Sequence, residues 1–218
     1  MPFEIAVVGS CNLDFVVPVR QIPKVGETIL GGDLERIAGG KGAKQAVAAS
    51  RLGNSVAMIG RVGDDDAGIF LRGGMEANGV NTEFLFQTSG VPSGVALIAV
   101  QNDGDNTIVV SPGANSRLSP EDIIDSLPIG EAKIVLLQAE IPMETILAAA
   151  RTATGTIIWN PAPAPTETIP LELLDLVDVL VLNQTELALL SGVETIDNMK
   201  NCEWKMVTKS EGGEKKGK

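Results

Sequence analysis

The chain has 218 residues, of which 44% are apolar and 21% charged, so it can bury the core of one large domain or two small ones. Its 28 acidic residues against 17 basic ones give a net charge of −11, which makes the chain a poor candidate for general binding to the phosphate backbone of nucleic acids. Since the chain has no histidine and no apolar run of about 18 residues, histidine-based catalysis, histidine zinc sites and a membrane span are also excluded.

The first half of the chain is predicted to combine a buried strand with short strands, two helices and a hairpin. Residues 5–9 form a β-branched run that ends at a glycine, which is typical of a central strand. The following elements are bounded by prolines and glycines: antiparallel strands at 15–17, 27–30 and 34–38, helices at 41–51 and 67–78, and a strand at 55–60. The Asp103-Gly104 pair between the β-rich runs 93–100 and 106–110 predicts a hairpin.

The second half of the chain alternates regularly between strands and helices. Strands are predicted at 134–137, 156–159 and 179–182, and helices at 142–154, 171–176 and 184–191. This alternation is typical of an α/β fold with a mostly parallel sheet and helices on both faces. The antiparallel pieces and the hairpin do not fit that layer and are predicted to form a second small sheet. We place the domain at 1–199 and a basic low-complexity tail at 200–218, which holds six lysines against three glutamates.

The segment Ala38-Gly-Gly-Lys-Gly-Ala-Lys-Gln-Ala46 contains three glycines and leads into a helix. Glycines there let the backbone approach a ligand, and the helix N-terminus offers free N–H groups to oxygen atoms, so the segment is a candidate ligand-binding loop. The alternative is a plain glycine turn that caps the helix. The segment is neither a Walker A loop nor a G-x-G-x-x-G fingerprint, so it does not indicate nucleotide binding.

Asn12 and Asp14 follow the first strand and lie two residues apart, so in extended chain they face the same side. Open α/β sheets bind ligands just past the carboxyl ends of their strands. An aspartate and an asparagine on one face suit vicinal sugar hydroxyls, because each hydroxyl both donates and accepts a hydrogen bond. The alternative is an Asx-turn that leaves the strand.

Three further polar residues follow predicted strands: Glu140, Asn183 and Glu186. Glu140 either contributes a carboxylate to a ligand site or is a capping or solvated residue. Glu186 lies in the first turn of a helix, where the helix dipole favours it, and it is also a candidate for a phosphate and Mg²⁺ site. The acidic run Gly63-Asp-Asp-Asp-Ala-Gly68 resembles a metal site, but a helix N-cap is the favoured interpretation.

Taken together in this order, the motifs resemble those of the ribokinase-like (PfkB) carbohydrate kinases. The similarity runs from about residue 4 to about residue 197. The matching segments are Gly9-Ser-Cys-Asn-Leu-Asp14, Pro23-Lys-Val-Gly-Glu-Thr28, Ala38 to Ala46, Arg51-Leu-Gly53, Gly63-Asp-Asp65, Ser93-Gly-Val-Ala96, Gly113-Ala-Asn115, Gln138-Ala-Glu140, Asn160-Pro-Ala-Pro163 and Asn183-Gln-Thr-Glu186.

The resemblance implies a Rossmann-like body with a small β lid, and phosphorylation of D-ribose or a related sugar by ATP. It assigns the sugar contacts to Asn12, Asp14, Gly39, Gly40, Lys41, Lys44 and Glu140. It places Asn183 and Glu186 near the ATP phosphates and their Mg²⁺, and it allows a monovalent cation. It also implies a homodimer, because lids of this family pair between subunits; the segments concerned would be 15–38 and 93–110.

Two departures from the family pattern stand out. The first is Lys44, where the family motif has an asparagine that contacts the sugar; a lysine cannot accept a hydrogen bond and is bulkier. The second is that the 218 residues contain no Gly-Ala-Gly-Asp segment, which in the family supplies the catalytic base and the anion hole. We therefore expect a truncated chain without kinase turnover, either from an interrupted kinase or as a non-catalytic sugar-binding or dimerising remnant.

The cysteines indicate the cellular compartment that we expect. Cys11 and Cys202 are the only two, and their separation matches neither a zinc site nor a disulfide framework. Residues 1–10 lack the basic and apolar regions of a secretory signal. The expectation is therefore a reducing cytoplasm.

Overall fold

The structure is a computed structural model that describes residues 3–124, 127–191 and 204–208. The strands in these residues are β1 Ile5–Val8, β2 Asn12–Val19, β3 Glu35–Gly39, β4 Val56–Gly63, β5 Leu85–Thr88, β6 Gly94–Gln101, β7 Asn106–Ser111, β8 Ile134–Leu137, β9 Thr156–Trp159, β10 Val179–Asn183 and β11 Trp204–Thr208. The helices are α1 Lys41–Arg51, α2 Asp66–Glu76, α3 Pro120–Ile124, α4 Leu127–Glu131, α5 Met143–Thr152, α6 Leu171–Leu176 and α7 Gln184–Ser191, and a 3-10 turn covers Gly113–Arg117.

The larger sheet has seven parallel strands in the order β11-β10-β9-β8-β1-β4-β5. All four residues of β1 are buried, as expected for a strand covered on both faces. Ile5 and Val7 belong to the core cluster that includes residues of α1 and α2, whereas Ala6 and Val8 belong to the cluster that includes α5 and α6. The predicted α/β layer is confirmed, and its physical basis is this alternation of side chains between two helical layers.

The smaller sheet, which we call the lid, has four strands in the order β3-β2-β6-β7. The β6–β7 hairpin is confirmed, and Gly104 in its turn has a φ of 94°, which favours glycine. β2 pairs with β3 antiparallel but with β6 parallel. The predicted antiparallel pairing of the early strands is confirmed for β2 and β3, and the hairpin joins them in one small sheet through the parallel β2–β6 pair.

The structure differs from the sequence predictions in three segments. Residues 27–30 are not a strand, because Gly26 turns the chain at a φ of 81° and the Glu27 carboxylate accepts a hydrogen bond from the Lys24 backbone across that turn. β5 lacks a predicted counterpart, and it pairs with the last four residues of β4. β11, which we assigned to the tail, pairs with all five residues of β10 and extends the sheet beyond residue 199. The end of that tail, residues 209–218, lies outside the described residues.

None of the helices in the described ranges is long and apolar enough to cross a membrane.

Cys11 is fully buried beyond the end of β1, and burial raises the pKa of its thiol to about 12. The Cys11 thiol is therefore neutral at physiological pH and unreactive as a nucleophile. Cys202 lies outside the described residues.

Candidate functional site

The candidate site lies at the carboxyl edge of the larger sheet, where β1 and β8 end. The chain leaves β1 through Gly9, Ser10 and Cys11 and enters the lid at β2, so Asn12 and Asp14 are lid residues rather than loop residues. Both are buried. The prediction that they lie two apart in extended chain agrees with their place in one strand. The Asx-turn alternative is wrong for this segment.

The glycines of the 38–46 segment bring the start of helix α1 close to the segment that follows β1. Gly40 precedes α1 with a φ of 87°, and a Cβ there would lie 2.7 Å from the Asn12 nitrogen and the Ser10 oxygen. A Cβ on Gly42 would lie 2.7 Å from the Ser10 nitrogen. No real Cβ tolerates such distances, so these two positions require glycine. The close approach that we expected towards a ligand is made to the segment after β1, and it places the amino terminus of α1 at the candidate site.

Glu140 lies beside that helix terminus. Its Oε2 accepts hydrogen bonds from the Lys41 backbone nitrogen at 3.1 Å and from the Ser10 hydroxyl. A carboxylate at this end of a helix is favoured by the helix dipole. Because only Oε2 makes these bonds, Oε1 remains available as an acceptor for a hydroxyl group of a ligand. The structure thus places Glu140 between the start of α1 and the segment after β1, where it caps the helix, in agreement with the capping alternative.

Asn115 orients Asn12, and the sequence assigned it no role beyond its place in a matching motif. Its Oδ1 accepts a hydrogen bond from the Cys11 nitrogen at 2.9 Å, and its Nδ2 donates to the Cys11 oxygen at 3.1 Å and to Asn12 Oδ1 at 2.7 Å. The Asn115 residue is 1% exposed. The hydrogen bond to Asn12 Oδ1 fixes the orientation of the Asn12 amide, so its Nδ2 is available to donate to a ligand.

Asp14 forms an ion pair with Lys44 across the gap between the lid and helix α1. Lys44 Nζ lies 2.9 Å from Asp14 Oδ2; the lysine side chain is 59% exposed and the aspartate side chain 7%. Gly39 makes room for this carboxylate, because a Cβ there would lie 2.2 Å from the Asp14 carboxyl group. Lys44 therefore pairs with the carboxylate that the sequence analysis expects to bind a sugar hydroxyl.

Gln138 is a second residue to which the sequence gave no separate role. It is fully buried against Gly9, and its Nε2 donates to Gln45 Oε1 at 2.7 Å. In the part of the chain that the structure describes, Gln138 Oε1 is the one buried side-chain oxygen or nitrogen without a hydrogen-bond partner. An unsatisfied buried acceptor costs about 1–3 kcal/mol, so this edge of the sheet is polar and not packed for stability alone.

Asn183 and Glu186 lie farther along the same edge, at the end of β10. Since neighbouring strands lie about 4.8 Å apart and β10 is three strands from β1, they are about 14 Å from the first cluster. Glu186 Oε2 accepts from the Asn183 nitrogen at 2.9 Å, and Asn183 Oδ1 accepts from the Glu186 nitrogen at 2.7 Å. This is a reciprocal helix cap. Glu186 lies in the first turn of α7, as predicted, and the structure adds that it caps this helix through Oε2, while its Oε1 takes no part in these bonds.

The described residues contain no group of three carboxylate, cysteine or histidine side chains that could hold a metal ion by themselves. Mg²⁺ commonly keeps several waters and is bound by one or two carboxylates together with substrate phosphates. Glu186 Oε1 fits that arrangement as a single carboxylate ligand. The residues thus suit a magnesium ion brought with a nucleotide rather than one bound by the protein alone.

The acidic run at 63–68 is structural. Asp65 caps α2, and its Oδ1 accepts hydrogen bonds from Gly68 N at 2.8 Å and from Ser93 Oγ at 2.6 Å. Its Oδ2 accepts from Ser93 N at 2.9 Å. Burial disfavours the charged carboxylate, but the hydrogen bonds from Ser93 and Gly68 outweigh this effect and lower the pKa of Asp65. The favoured N-cap interpretation is confirmed, and the cap also ties α2 to the start of β6 in the lid.

Comparison with known proteins places the chain among sugar kinases. A family model described as pfkB family carbohydrate kinase matches residues 3–213. The chain is 41% identical over 197 residues to a ribokinase of Bacillus subtilis, with 88% of this chain and 66% of the relative covered. A ribokinase structure from Thermotoga maritima is similar at a TM-score of 0.79 and 37% identity, over 88% of this chain and 63% of that chain.

A third similar protein is the ribokinase of Arabidopsis thaliana, whose structure was determined in complex with ribose and ATP. The TM-score is 0.80 at 31% identity, over 96% of this chain and 72% of that chain. The chain described here spans about two thirds of the length of the relatives that it matches. The predicted fold class, with its Rossmann-like layering, is confirmed by these structures.

Proposed function

This chain belongs to the pfkB family of carbohydrate kinases, and from that premise we propose that its 218 residues carry the sugar site and part of the nucleotide site of a ribokinase-type enzyme, without the segment that supplies the catalytic base. The reaction is transfer of a phosphoryl group from ATP to a hydroxyl group of D-ribose or a related sugar. The observation that supports this proposal best is the cluster at the end of β1. Three side chains lie there beside the amino terminus of α1: the Asn12 amide, the buried Asp14 carboxylate and the Glu140 carboxylate. Of the two Glu140 oxygens, only Oε2 is hydrogen-bonded.

The sugar site is proposed to consist of Asn12, Asp14, Gly39, Gly40, Lys41, Lys44 and Glu140. Vicinal hydroxyl groups both donate and accept, so they need acceptors and donors on neighbouring positions. Asp14 and Glu140 supply the acceptors, and Asn12 Nδ2 supplies a donor because Asn115 holds its oxygen. Gly39 makes room for the Asp14 carboxylate, and Gly40 lets the start of α1 lie against Ser10 and Asn12.

The nucleotide is proposed to lie along the same sheet edge. Asn183 and Glu186 lie near its phosphates, and Glu186 Oε1 is the proposed carboxylate ligand of the accompanying Mg²⁺. When bound, Mg²⁺ neutralises developing charge on the phosphates. A monovalent cation is part of the proposal by family resemblance alone, and the reducing cytoplasm stays our expected compartment.

The proposal is tested by titrating D-ribose into the 218-residue chain and into its Asp14→Ala variant. We expect binding by the parent chain and none by the variant, because the variant lacks the buried acceptor. Since the Lys44 side chain is 59% exposed, its ammonium stays solvated and the variant should fold normally. The matched control is Asp103→Ala, in the exposed hairpin turn, which should bind ribose as the parent does. Equal affinity of Asp14→Ala and the parent would contradict the site.

The lid is proposed to pair with the lid of a second copy. Its outer face has an apolar groove lined by Phe15, Val17, Leu34, Leu97 and Val109. Leu97 and Val109 are 57% and 66% exposed, which leaves apolar area that one thin sheet cannot cover. We therefore propose a homodimer through 15–38 and 93–110.

Light scattering at micromolar concentration tests the dimer. We expect a dimer for the parent chain and a monomer for Leu97→Asp, whose carboxylate would be buried in the contact without a partner. The control Leu171→Asp changes an equally exposed leucine on α6, outside the lid, and should stay dimeric. A monomeric parent chain would contradict the proposal.

A further inference from the structure

A groove runs between helices α1 and α2. It has a volume of about 360 Å³, which lies within the range of small-molecule sites. Its floor is apolar and includes Val47 of α1 together with Leu71 and Met75 of α2, and Ala38 of the lid closes one end. None of the sugar contacts proposed above lines it, except Lys44.

The charged groups of the groove are both positive. Lys44 and Arg51 line it seven residues apart on α1, which is about 10 Å along the helix axis, and no carboxylate lines it. Arg51 donates from Nε to Asn78 Oδ1 at 2.8 Å, which holds its guanidinium at the rim. Within the described residues Arg51 forms no ion pair. Lys44 is paired with Asp14, so among the described residues Arg51 is the cation of the groove without a carboxylate partner, and it can attract an anion locally.

A glycine keeps the groove open. Gly74 lines it from the last turn of α2, where glycine is a poorer helix former than alanine. A Cβ at Gly74 would meet nothing nearer than the Ala38 Cβ at 4.0 Å, which is ordinary contact. Packing therefore does not require a glycine at this position, and a side chain there would occupy the groove.

We propose that this groove binds a small anionic ligand with an apolar body, such as a medium-chain carboxylate. The apolar body lies on the floor formed by Val47, Leu71 and Met75, and the anionic group is held by the cations at the rim. Apolar lining with a small number of placed charges is the usual composition of small-molecule sites.

The groove is linked to the sugar site through Lys44, and this link, unlike the binding itself, rests on the proposed function. The Lys44 ammonium can pair with Asp14 or with an anion in the groove, but a single ammonium divides its attraction between them. An anion at Lys44 therefore weakens the Asp14 pair and leaves that carboxylate free to accept from a sugar. By reciprocity, the sugar raises the affinity for the anion by the same factor.

The first experiment titrates octanoate, with octanamide as its uncharged counterpart, into the 218-residue chain by calorimetry. We expect octanoate to bind and octanamide to bind at least about fivefold more weakly, because only the carboxylate forms charged hydrogen bonds. Arg51→Gln should weaken octanoate binding about fivefold, whereas Arg151→Gln, an exposed arginine on α5, should not change it. Failure of octanoate to bind, or equal binding by Arg51→Gln and the parent, would overturn the proposal.

A pair of glycine variants tests the position of the ligand. Gly74→Leu fills the groove and should abolish octanoate binding, while Gly73→Leu places the same side chain where a Cβ meets nothing within 4 Å and should leave binding intact. Both replace a helical glycine by a better helix former, so both should fold. Octanoate binding by Gly74→Leu would overturn the proposal.

The link is measured by titrating ribose with and without saturating octanoate. We expect octanoate to raise ribose affinity in the parent chain and to have no effect on ribose in Gly74→Leu. If octanoate binds by the criteria above but ribose does not bind at all, the proposed function fails while the groove stands. If ribose binds and octanoate does not, the groove fails while the proposed function stands.

Discussion

The ammonium of Lys44 lies 2.9 Å from Asp14 Oδ2, and this pair joins helix α1 to lid strand β2. The two partners differ in solvent exposure: the Lys44 side chain is 59% exposed, whereas the Asp14 side chain is 7% exposed. A pair with one solvated member contributes about 1 kcal/mol or less. If Asp14 binds a sugar as proposed, displacing Lys44 costs little, so we expect the pair to reduce sugar affinity without abolishing it.

Replacing Lys44 by asparagine, the residue of the family motif, should tighten ribose binding by about 1 kcal/mol or more. The substitution removes the competing cation and restores a side chain that both donates and accepts. Calorimetric titration measures the change. Lys44→Arg, which keeps the positive charge, is the control and should not tighten binding. Equal affinities for Lys44→Asn and the parent would mean that Lys44 does not compete with the sugar.

Replacing Asn115 by aspartate should weaken ribose binding and lower the free energy of unfolding by about 1–3 kcal/mol. The aspartate keeps the shape of the side chain but places an oxygen against the Cys11 and Asn12 oxygens, which the Asn115 amide now contacts as a donor. Titration of ribose and denaturant unfolding measure the two effects.

A control separates the orientation of Asn12 from general destabilisation. Thr145→Val removes a buried hydrogen bond to the Leu118 oxygen, 2.7 Å long, and should lower stability without changing ribose affinity. If both variants weaken ribose binding equally at the same loss of stability, Asn115 has no specific part in positioning Asn12.

The Asp65 cap should make part of the stability dependent on pH. Because the pKa of Asp65 is lowered in the folded chain, its contribution is present above the ordinary value of 3.8 and is lost as the pH falls below it. Asp65→Ala should therefore cost about 1–2 kcal/mol at neutral pH and progressively less below pH 4. Urea unfolding at several pH values measures this.

The matched control for Asp65 is its neighbour. Asp64→Ala removes an exposed carboxylate whose contact with the Gly90 nitrogen is 3.2 Å long, and should change stability little at any pH. A loss for Asp65→Ala that does not depend on pH would show that the cap acts through shape rather than charge.

The 218-residue chain by itself should show no measurable ribose phosphorylation. Phosphoryl transfer depends on positioning the nucleophile and on stabilising charge on the transferred group. The sequence contains no Gly-Ala-Gly-Asp segment, which the family resemblance identifies with both tasks. Removal of a single such donor costs about 10²- to 10³-fold in other enzymes. Formation of ribose phosphate by the purified chain, lost in Asp14→Ala, would contradict this expectation.

Much of the larger sheet could be predicted from local patterns. The predicted segments 134–137, 156–159, 41–51 and 171–176 coincide with β8, β9, α1 and α6. These elements are set by short-range causes: β-branched runs for buried strands, an alanine-rich helix after Gly40, and glycine or proline at the ends. Of the sugar contacts that the family resemblance implies, Lys41 and Glu140 are joined by a hydrogen bond, and Asn12 and Asp14 lie in one strand that begins just beyond the end of β1.

The sequence by itself determined the α/β layering, the hairpin of the lid and the residue types available for a sugar. Only the tertiary structure decided that β2 and β6 pair in parallel, that Asn115 holds both Cys11 and Asn12, and that Lys44 binds Asp14. Asn115 and Cys11 are 104 residues apart, and no local period encodes a contact over that distance. Such contacts form when the lid folds back on the body, and they depend on backbone approach at Gly39, Gly40 and Gly94 rather than on the propensities of single residues.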